Sequence, residues 1–398
     1  MSGPVPGTPS LLRAINDRAA LRALLERGSL TRPELGALTG LSKPTASQLL
    51  SRLQEAGLVV LDGIREGLPG RTAEVYRINP AAAYVGALDV APDRIEARVA
   101  DITGTVVGSY TLPTPRRPGG ELVDRLGAAL AGANPPDKLR RVVIGVQAAI
   151  DPATGRLGYA AAKDVPGWQI DDLVPTLSAG LGVAVDVENN VNLVALAEQA
   201  HGAARGHPDF VLLWADEGIG SAIVLGGRMH RGATGGAGEV GYMPTPGAPT
   251  AREAGRYANH GYQALTGGPA VLRLLRSYGV HGTDFRQAIA KAVRVAEGAG
   301  HKADDAKAGL RDIAARLAVG LAAITSVIDP GLIVLTGGVV LSGGEPLREL
   351  VEHELHALTI PRPAVRLSSV EGNPVLAGAL GLALDTVRDE VFSSTVPS

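Results

Sequence analysis

The 398-residue chain carries 38 Lys+Arg against 40 Asp+Glu, has no cysteine, and is 45% hydrophobic. This is the composition of a globular protein with material for two or three domains; it excludes a disulfide scaffold, a Cys-ligated zinc or iron–sulfur site and a thiol nucleophile. A formal net charge of −2 provides no global field to draw the chain onto nucleic acid or membrane, so any such binding has to come from a local patch.

Residues 1–9 read as a short flexible leader, without the charged and apolar regions of a signal peptide. No run of eighteen apolar residues occurs, and the eight histidines show no metal-ligand spacing. The expectation is a cytoplasmic protein with no membrane segment, no metal site and no cofactor.

Residues 10–80 form the first unit. Leu11, Leu12, Ile15, Ala19, Leu21, Leu24 and Leu25 recur at helical spacing from Ser10 to about Gly28. Thr31 to Thr39 fits a second helix, with Thr31 as N-cap, Pro33 in the first turn, Glu34 at the capping-box position and Gly40 as the stop. Ser42 caps a third helix whose apolar face is Ala46, Leu49, Leu50 and Leu53. Two β-rich segments, Leu58–Leu61 and Glu74–Ile78, flank a Gly/Arg-rich loop from Asp62 to Thr72. Three helices followed by a β-hairpin is the order of a winged helix-turn-helix.

The residue chemistry of this unit suits DNA. Thr31, Ser42, Lys43, Pro44, Thr45, Ser47 and Gln48 supply hydroxyls, an amide and a cation at the two helix starts, where phosphates and base edges are met in a major groove. Arg65 and Arg71 sit in the expected wing, placed for backbone or minor-groove contact. Residues 1–80 hold ten Lys+Arg against seven Asp+Glu, and the remainder 28 against 33, so the positive excess lies on this unit. A protein-binding or purely packing winged helix has the same outline. Caps, turn, hairpin and cationic wing together favour double-stranded DNA.

Residues 81–398 read as α/β. Tyr84–Val90, Arg94–Ala100 and Thr105–Leu112 are three strands joined by short turns, followed by a helix to Ala131 and a strand Arg141–Val146. A strand Gly182–Val187 and helix Asn190–Ala204 come next, and Phe210–Ala215 with Gly218–Leu225 repeats the hairpin. Helices Gly268–Tyr278, Thr283–Glu297 and Asp304–Ile328 then precede strand Leu332–Thr336, helix Glu345–Leu358, strand Ala364–Ser368 and helix Pro374–Val387. Two successive blocks of hairpins followed by strand–helix units suggest a duplication.

The second block contains Glu217-Gly218-Ile219-Gly220, then Gly226-Gly227, then Gly232 to Tyr242 with Gly238-Glu239-Val240-Gly241-Tyr242. With Glu188-Asn189-Asn190 and Asp329 to Gly338, this ordered set resembles the central signatures of the ROK family, which groups bacterial repressors with sugar kinases. The resemblance runs from about Tyr84 to the C-terminus, and the winged helix resembles the repressor branch, down to Gly70-Arg71 and Tyr76 to Pro80. It implies a duplicated actin-like ATPase (ribonuclease H-like) fold for residues 81–398, serving effector binding and oligomerisation.

Departures from the family pattern bear on activity. The kinases' glycine-rich phosphate hairpin matches Asp89-Val90-Ala91-Pro92-Asp93, where side chains replace both glycines, proline removes an N–H and Asp93 adds negative charge. The catalytic aspartate of an Asn-Asp pair matches Asn190 in Asn189-Asn190, and an amide is no general base at neutral pH. Asn190 as a helix N-cap is the plainer reading, and both roles are compatible. Glu239 matches a sugar-contacting glutamate, or is an ordinary surface or cap carboxylate. Tyr242 replaces a zinc-ligating histidine: it contacts a ligand or merely fills the vacated volume. Asp151, in Gln147 to Asp151, matches the mouth of the sugar cleft without its Pro-Gly, and Trp168 faces a ligand or belongs to the core.

The resemblance therefore implies a non-enzymatic transcriptional repressor acting on a palindromic operator as a homodimer or homotetramer, with Asp151, Asn189, Asn190, Glu239 and Tyr242 lining a cleft for a sugar-like effector. Two alternatives stay open: an ATP-dependent sugar kinase with an appended DNA-binding unit, and a regulator with a silent or non-sugar site.

Overall fold

The computed structural model describes residues 9–66, 72–114, 121–158, 167–255 and 258–393. At its N-terminal end, helices Pro9–Arg27, Arg32–Thr39 and Lys43–Glu55 meet through Leu21, Leu24, Leu35, Leu49, Leu50 and Leu53, all buried. The local chemistry sets their limits. Thr31 and Glu34 form the expected capping box, and the Ser42 hydroxyl accepts from Thr45 N–H at the start of the third helix. Strands Val59–Glu66 and Thr72–Ile78 make the wing, with Leu30–Thr31 added on the other side of Thr72–Ile78. The wing strands reach further than Leu61 and Glu74: pairing continues from Gly63↔Val75 to Glu66↔Thr72 past an irregularity at Asp62. The out-of-register Asp62 accepts from Ser29 Oγ and from Arg77 Nε, the latter at 2.6 Å.

The rest of the chain builds two five-stranded sheets of one topology. In the first the order is Ala184–Asn189, Leu139–Val146, Tyr84–Val90, Arg94–Asp101, Val106–Pro113. In the second it is Ala364–Leu367, Leu332–Thr336, Phe210–Ala215, Ile219–Leu225, Arg228–Met229. Each sheet has three parallel strands and a two-strand antiparallel extension. This is the duplicated arrangement of an actin-like ATPase fold.

Alternation along the strands decides what packs on each face. Phe210, Leu212 and Val334 of the second sheet and Ala87 and Val143 of the first turn to a common core that also takes in helices Asn190–His201 and Pro374–Ser393. Val211, Leu213, Ile333 and Leu335 turn outward to helices Gly268–Ser277, Phe285–Ala296, His301–Ile328 and Gly338–Leu358. Leu88, Ile144 and Val185 face helices Leu122–Gly132 and Leu173–Leu181. The common core also contains Leu21, Leu24, Tyr76 and Ile78, so the winged helix is continuous with the two lobes.

Several elements differ from the sequence expectation. Helix Leu173–Leu181 and the two-residue ladder of Ala149–Ile150 with Leu157–Gly158 were not anticipated. The helix expected from Glu345 starts at Gly338 and is broken at Gly344, whose φ of 57° lies in the left-handed region. Among the described residues no helix is long and apolar enough to cross a membrane.

The two central helices touch at backbone level. A Cβ on Gly378 would lie 1.8 Å from the Leu193 carbonyl oxygen. Gly378→Ala is therefore expected to force the pair apart and destabilise the fold by about 1–3 kcal/mol, read as a lower midpoint in urea at unchanged slope.

Candidate functional site

The carboxyl ends of the three parallel strands of the first sheet lie side by side, with Asp89 opposite Gly145 and Asn189 opposite Val146. In α/β sheets this edge is where ligands bind. The chain leaving Val146 forms Ala149–Ile150 and reaches Asp151. Here the second lobe comes close: a Cβ on Gly235 would fall 2.0 Å from the Ile150 carbonyl oxygen, and Gly235 has φ +77°. Only glycine fits, which gives a physical reason for the glycine-rich run from Gly232 to Gly238. Arg231, just before that run, bonds Glu188 of the first lobe through Nε and Nη2 at 2.8 and 2.6 Å.

A cavity of about 760 Å³ opens at this meeting of lobes, and Asp151, Thr154, Arg156, Glu239, Tyr242 and His260 line it. The volume suits a small polar ligand. The Asp151 carboxylate accepts from Ala153 N–H at 2.8 Å, which holds it below the usual carboxylate range. Arg156 reaches Asp171 at 2.8 Å in a pair exposed on both sides. The Tyr242 and His260 rings lie 5.3 Å apart, tilted by 47°. The Glu239 carboxyl makes no hydrogen bond among the described residues, and burial pushes it up to about 7.

Asp151, Glu239 and Tyr242 thus come together, whereas Asn189 and Asn190 do not line this cavity. Asn189, not Asn190, is the N-cap of helix Asn190–His201: its side chain accepts from Val191 N–H at 2.7 Å and donates to Ala148 O at 3.1 Å. Asn190 is the first helical residue and is buried. Trp168 belongs to the core of the first lobe. Thr154, Arg156 and His260 were missed. A turn after Asp151 could have suggested the first two, but nothing in Asn259-His260-Gly261 marks the third.

On the winged helix, Ser42, Lys43, Pro44, Thr45 and Gln48 are exposed over the first two turns of helix Lys43–Glu55, and Ser47 is half-buried beside them. One expected contact is corrected: Thr31 is buried, and its hydroxyl serves the cap by donating to Glu34 Oε2 at 2.8 Å. Arg65 lies within the wing strand and pairs with Glu34 Oε1 at 2.9 Å, in a half-exposed pair that a phosphate can exchange into. Arg71 lies outside the described residues.

Comparison with known proteins agrees with this architecture. The ROK family pattern matches residues 85–386, and a MarR family pattern matches residues 15–66. The chain belongs to the ROK family. It is 25% identical to the xylose repressor of Bacillus subtilis (strain 168) over 239 residues, 59% of this chain and 61% of that one, so the match spans less than two thirds of that relative. It is 22% identical over 396 residues to the putative xylose repressor of Caldicellulosiruptor sp. (strain Rt8B.4), covering 95% of this chain and 97% of that one. Among solved structures, a ROK family transcriptional regulator described as a homolog of E. coli MLC superposes with TM-score 0.71 over 96% of this chain and 99% of that chain at 17% identity. The ROK hexokinase of Thermus thermophilus superposes with TM-score 0.62 at 27% identity, covering 77% and 99% of the two chains.

Two groups bound elsewhere in the ROK family meet an unsuitable environment here. In the hairpin after Asp89, Ala91 N–H donates to Arg94 O, Pro92 has no N–H, and Arg94 is spent on Glu96 and Asp93 at 2.5 and 3.2 Å. At the matching edge of the second sheet, Gly338 N–H at a helix start is taken by Asp216 Oδ2 at 2.6 Å, and Arg286 closes on the same carboxylate. Both places where a nucleotide phosphate would seek donors offer acids whose partners are internal. Around Tyr242 no group of three or more His, Cys, Asp or Glu side chains gathers among the described residues, so the donors present do not fit zinc.

Glu239 makes stability depend on pH in a defined direction. Its folded value of about 7 exceeds the ordinary 4.5, so the unfolded chain releases this proton first as pH rises. The folded state loses stability between about pH 4.5 and pH 7, and Glu239→Gln has nothing to ionise. The variant is expected to match the parent near pH 4.5 and to exceed it by about 1–3 kcal/mol at pH 8, measured by urea unfolding at both pH values.

Proposed function

We propose that this chain is a cytoplasmic, non-catalytic transcriptional repressor that binds a palindromic operator as a homodimer or homotetramer and responds to a sugar-like effector. The observation that carries this reading is Glu239: an uncommitted carboxyl in an interlobe cavity, on a chain whose other end presents a bare polar recognition helix. A polyol hydroxyl would supply the donor that Glu239 lacks, and Tyr242 a flat partner. Such a ligand takes the ionised acid, so its affinity rises with pH through about 7.

The DNA contacts proposed are Ser42, Lys43, Pro44, Thr45, Ser47 and Gln48, with Arg65 of the wing strand and, from the sequence alone, Arg71. Two protomers would place their recognition helices about 34–36 Å apart on one face of the duplex. The acid-filled phosphate positions, and Asn190, which cannot accept a hydroxyl proton, support the non-catalytic reading.

Fluorescence anisotropy with a duplex from the chain's own upstream region and a scrambled control tests the DNA half. The upstream duplex is expected to bind more tightly at moderate salt. Lys43→Ala should weaken both duplexes alike and reduce the salt slope by about 1, whereas Gln48→Ala should remove about 1–3 kcal/mol of discrimination. Equal affinity for both duplexes would overturn the regulator reading.

A thermal-shift titration with D-xylose, D-glucose and amino sugars, with and without ATP, tests the effector half. One sugar should shift the parent and not Glu239→Ala, since saturation at about a hundredfold over Kd adds roughly 2.7 kcal/mol. Phosphorylation of any of these sugars by ATP would reinstate the kinase.

A further inference from the structure

Helix Pro374–Ser393 has a position that neither the cavity nor the DNA surface explains. One residue before it, the Asn373 amide works in two directions. Its Oδ1 accepts from Val375 and Leu376 N–H at 3.0 and 3.2 Å, capping the helix, while its Nδ2 donates to Asp89 Oδ2 at 2.8 Å. Asp89 lies at the carboxyl edge of the first sheet, one parallel strand away from the chain that runs into Asp151 and the cavity.

The other end of the helix, about 30 Å away for twenty residues, is fixed to the winged helix. Asp389 pairs with Arg18 and Arg22 of helix Pro9–Arg27, and Phe392 is buried in one core with Leu21 and Leu24. Between lie the contact of Gly378 with Leu193 and the bond from Arg388 Nε to Ile102 O at 2.9 Å. The far joint is incompletely filled: a groove of about 410 Å³ lined by Arg22, Leu25, Glu26, Asp385, Arg388 and Phe392 leaves room for the two helices to re-seat.

We propose that helix Pro374–Ser393 transmits between effector cavity and DNA, and that the Asn373–Asp89 hydrogen bond is the grip by which it follows the carboxyl edge of the first sheet. This rests on the regulator reading above. Strand Tyr84–Val90, which follows wing strand Thr72–Ile78 in the chain and carries Asp89 next to its end, is a second connection, so the grip has to be tested separately from the strand. Asn373 acts as a positioning residue, since it touches neither cavity nor DNA surface. Coupling is reciprocal: if cavity occupation moves the winged helix, seating the winged helix on DNA has to be felt at Asp89.

Reciprocity allows a test without knowing the effector. Hydrogen exchange of the full chain is followed at the amides of Val90, Ala91, Asp93 and Arg94 and of residues 375–378, with and without the upstream duplex. Asn373→Asp keeps an acceptor for the helix cap but sets a second carboxylate against Asp89. Combining it with Asp89→Asn restores a donor–acceptor pair in the reverse sense. In the parent, DNA is expected to change exchange at these amides by about threefold or more. Asn373→Asp should bind the duplex and leave them unchanged, and the reciprocal pair should regain the response. A parent that binds DNA with a silent hairpin overturns the grip alone, as does an Asn373→Asp chain that responds like the parent, or a folded reciprocal pair that does not respond. A parent that does not bind the duplex overturns the regulator reading, and the grip with it.

Discussion

Two helices packed backbone to backbone, Asn190–His201 and Pro374–Ser393, fix the relation of everything else in this chain. Their crossing at Leu193 and Gly378 leaves no room for a side chain, and the inner faces of both sheets close over the pair. Helix Asn190–His201 also carries the buried Glu198, whose carboxylate accepts from Ser368 Oγ and from the N–H groups of Ala203, Ser369 and Val370. A buried charge with four donors is a strong tie, because withdrawing the donors leaves it unsolvated. The second lobe is thus pinned to a helix rooted in the first, and the winged helix is pinned to that helix's partner.

Three acids at strand ends are satisfied by the chain itself, whereas the Glu239 carboxyl is not. Glu188 takes Arg231, Asn192 and the Asn189 N–H; Asp216 takes Gly338 N–H and Arg286; Asp89 takes Asn373. Each stands at a strand end where, in a fold of this kind, an outside ligand would be recognised. Internal partners convert recognition chemistry into structural ties. Glu239 keeps its capacity, and its neighbours Tyr242, His260 and Asp151 come from both sides of the lobe boundary. A ligand bound there would contact both lobes at once, which is the geometric condition for sensing.

How much of this was legible in the sequence depends on the range of the interactions. The capping box Thr31/Glu34, the cap at Ser42 and the apolar spacing of Leu49, Leu50 and Leu53 are local, and the three helices were readable from them. Lobe topology followed from the repeat of hairpin and strand–helix patterns together with the glycine-rich signature. What escaped is set by contacts across long separations. Thr31 reads as a surface hydroxyl until the strand pairing Leu30–Thr31 with Val75–Tyr76 buries it. Arg65 reads as a free cation until Glu34, thirty-one residues earlier, is brought beside it. His260 and the grip of Asn373 on Asp89, 284 residues apart, have no local signature at all.

The ion pairs of the winged helix bear on how its affinity can arise. Arg65–Glu34, Arg32–Glu74 and Arg77–Asp62 are largely exposed, and such pairs are worth about 0–1 kcal/mol, so a phosphate can replace the carboxylate at small cost. Arg52 differs: its partner Asp17 is buried, with 2% of its side chain exposed, and removing the guanidinium would strand that charge. Four cations of the winged helix, Arg32, Arg52, Arg65 and Arg77, thus already have carboxylate partners within the protein, which lowers its nonspecific attraction for an anion. A chain with net charge −2 adds no long-range help. On the regulator reading proposed above, useful affinity would come from two winged helices engaging together at a set spacing. Binding of that kind would be sensitive to how each winged helix is seated on its lobe pair, and at that seat Asp389 pairs with Arg18 and Phe392 shares a core with Leu21 and Leu24, at the far end of the central helix.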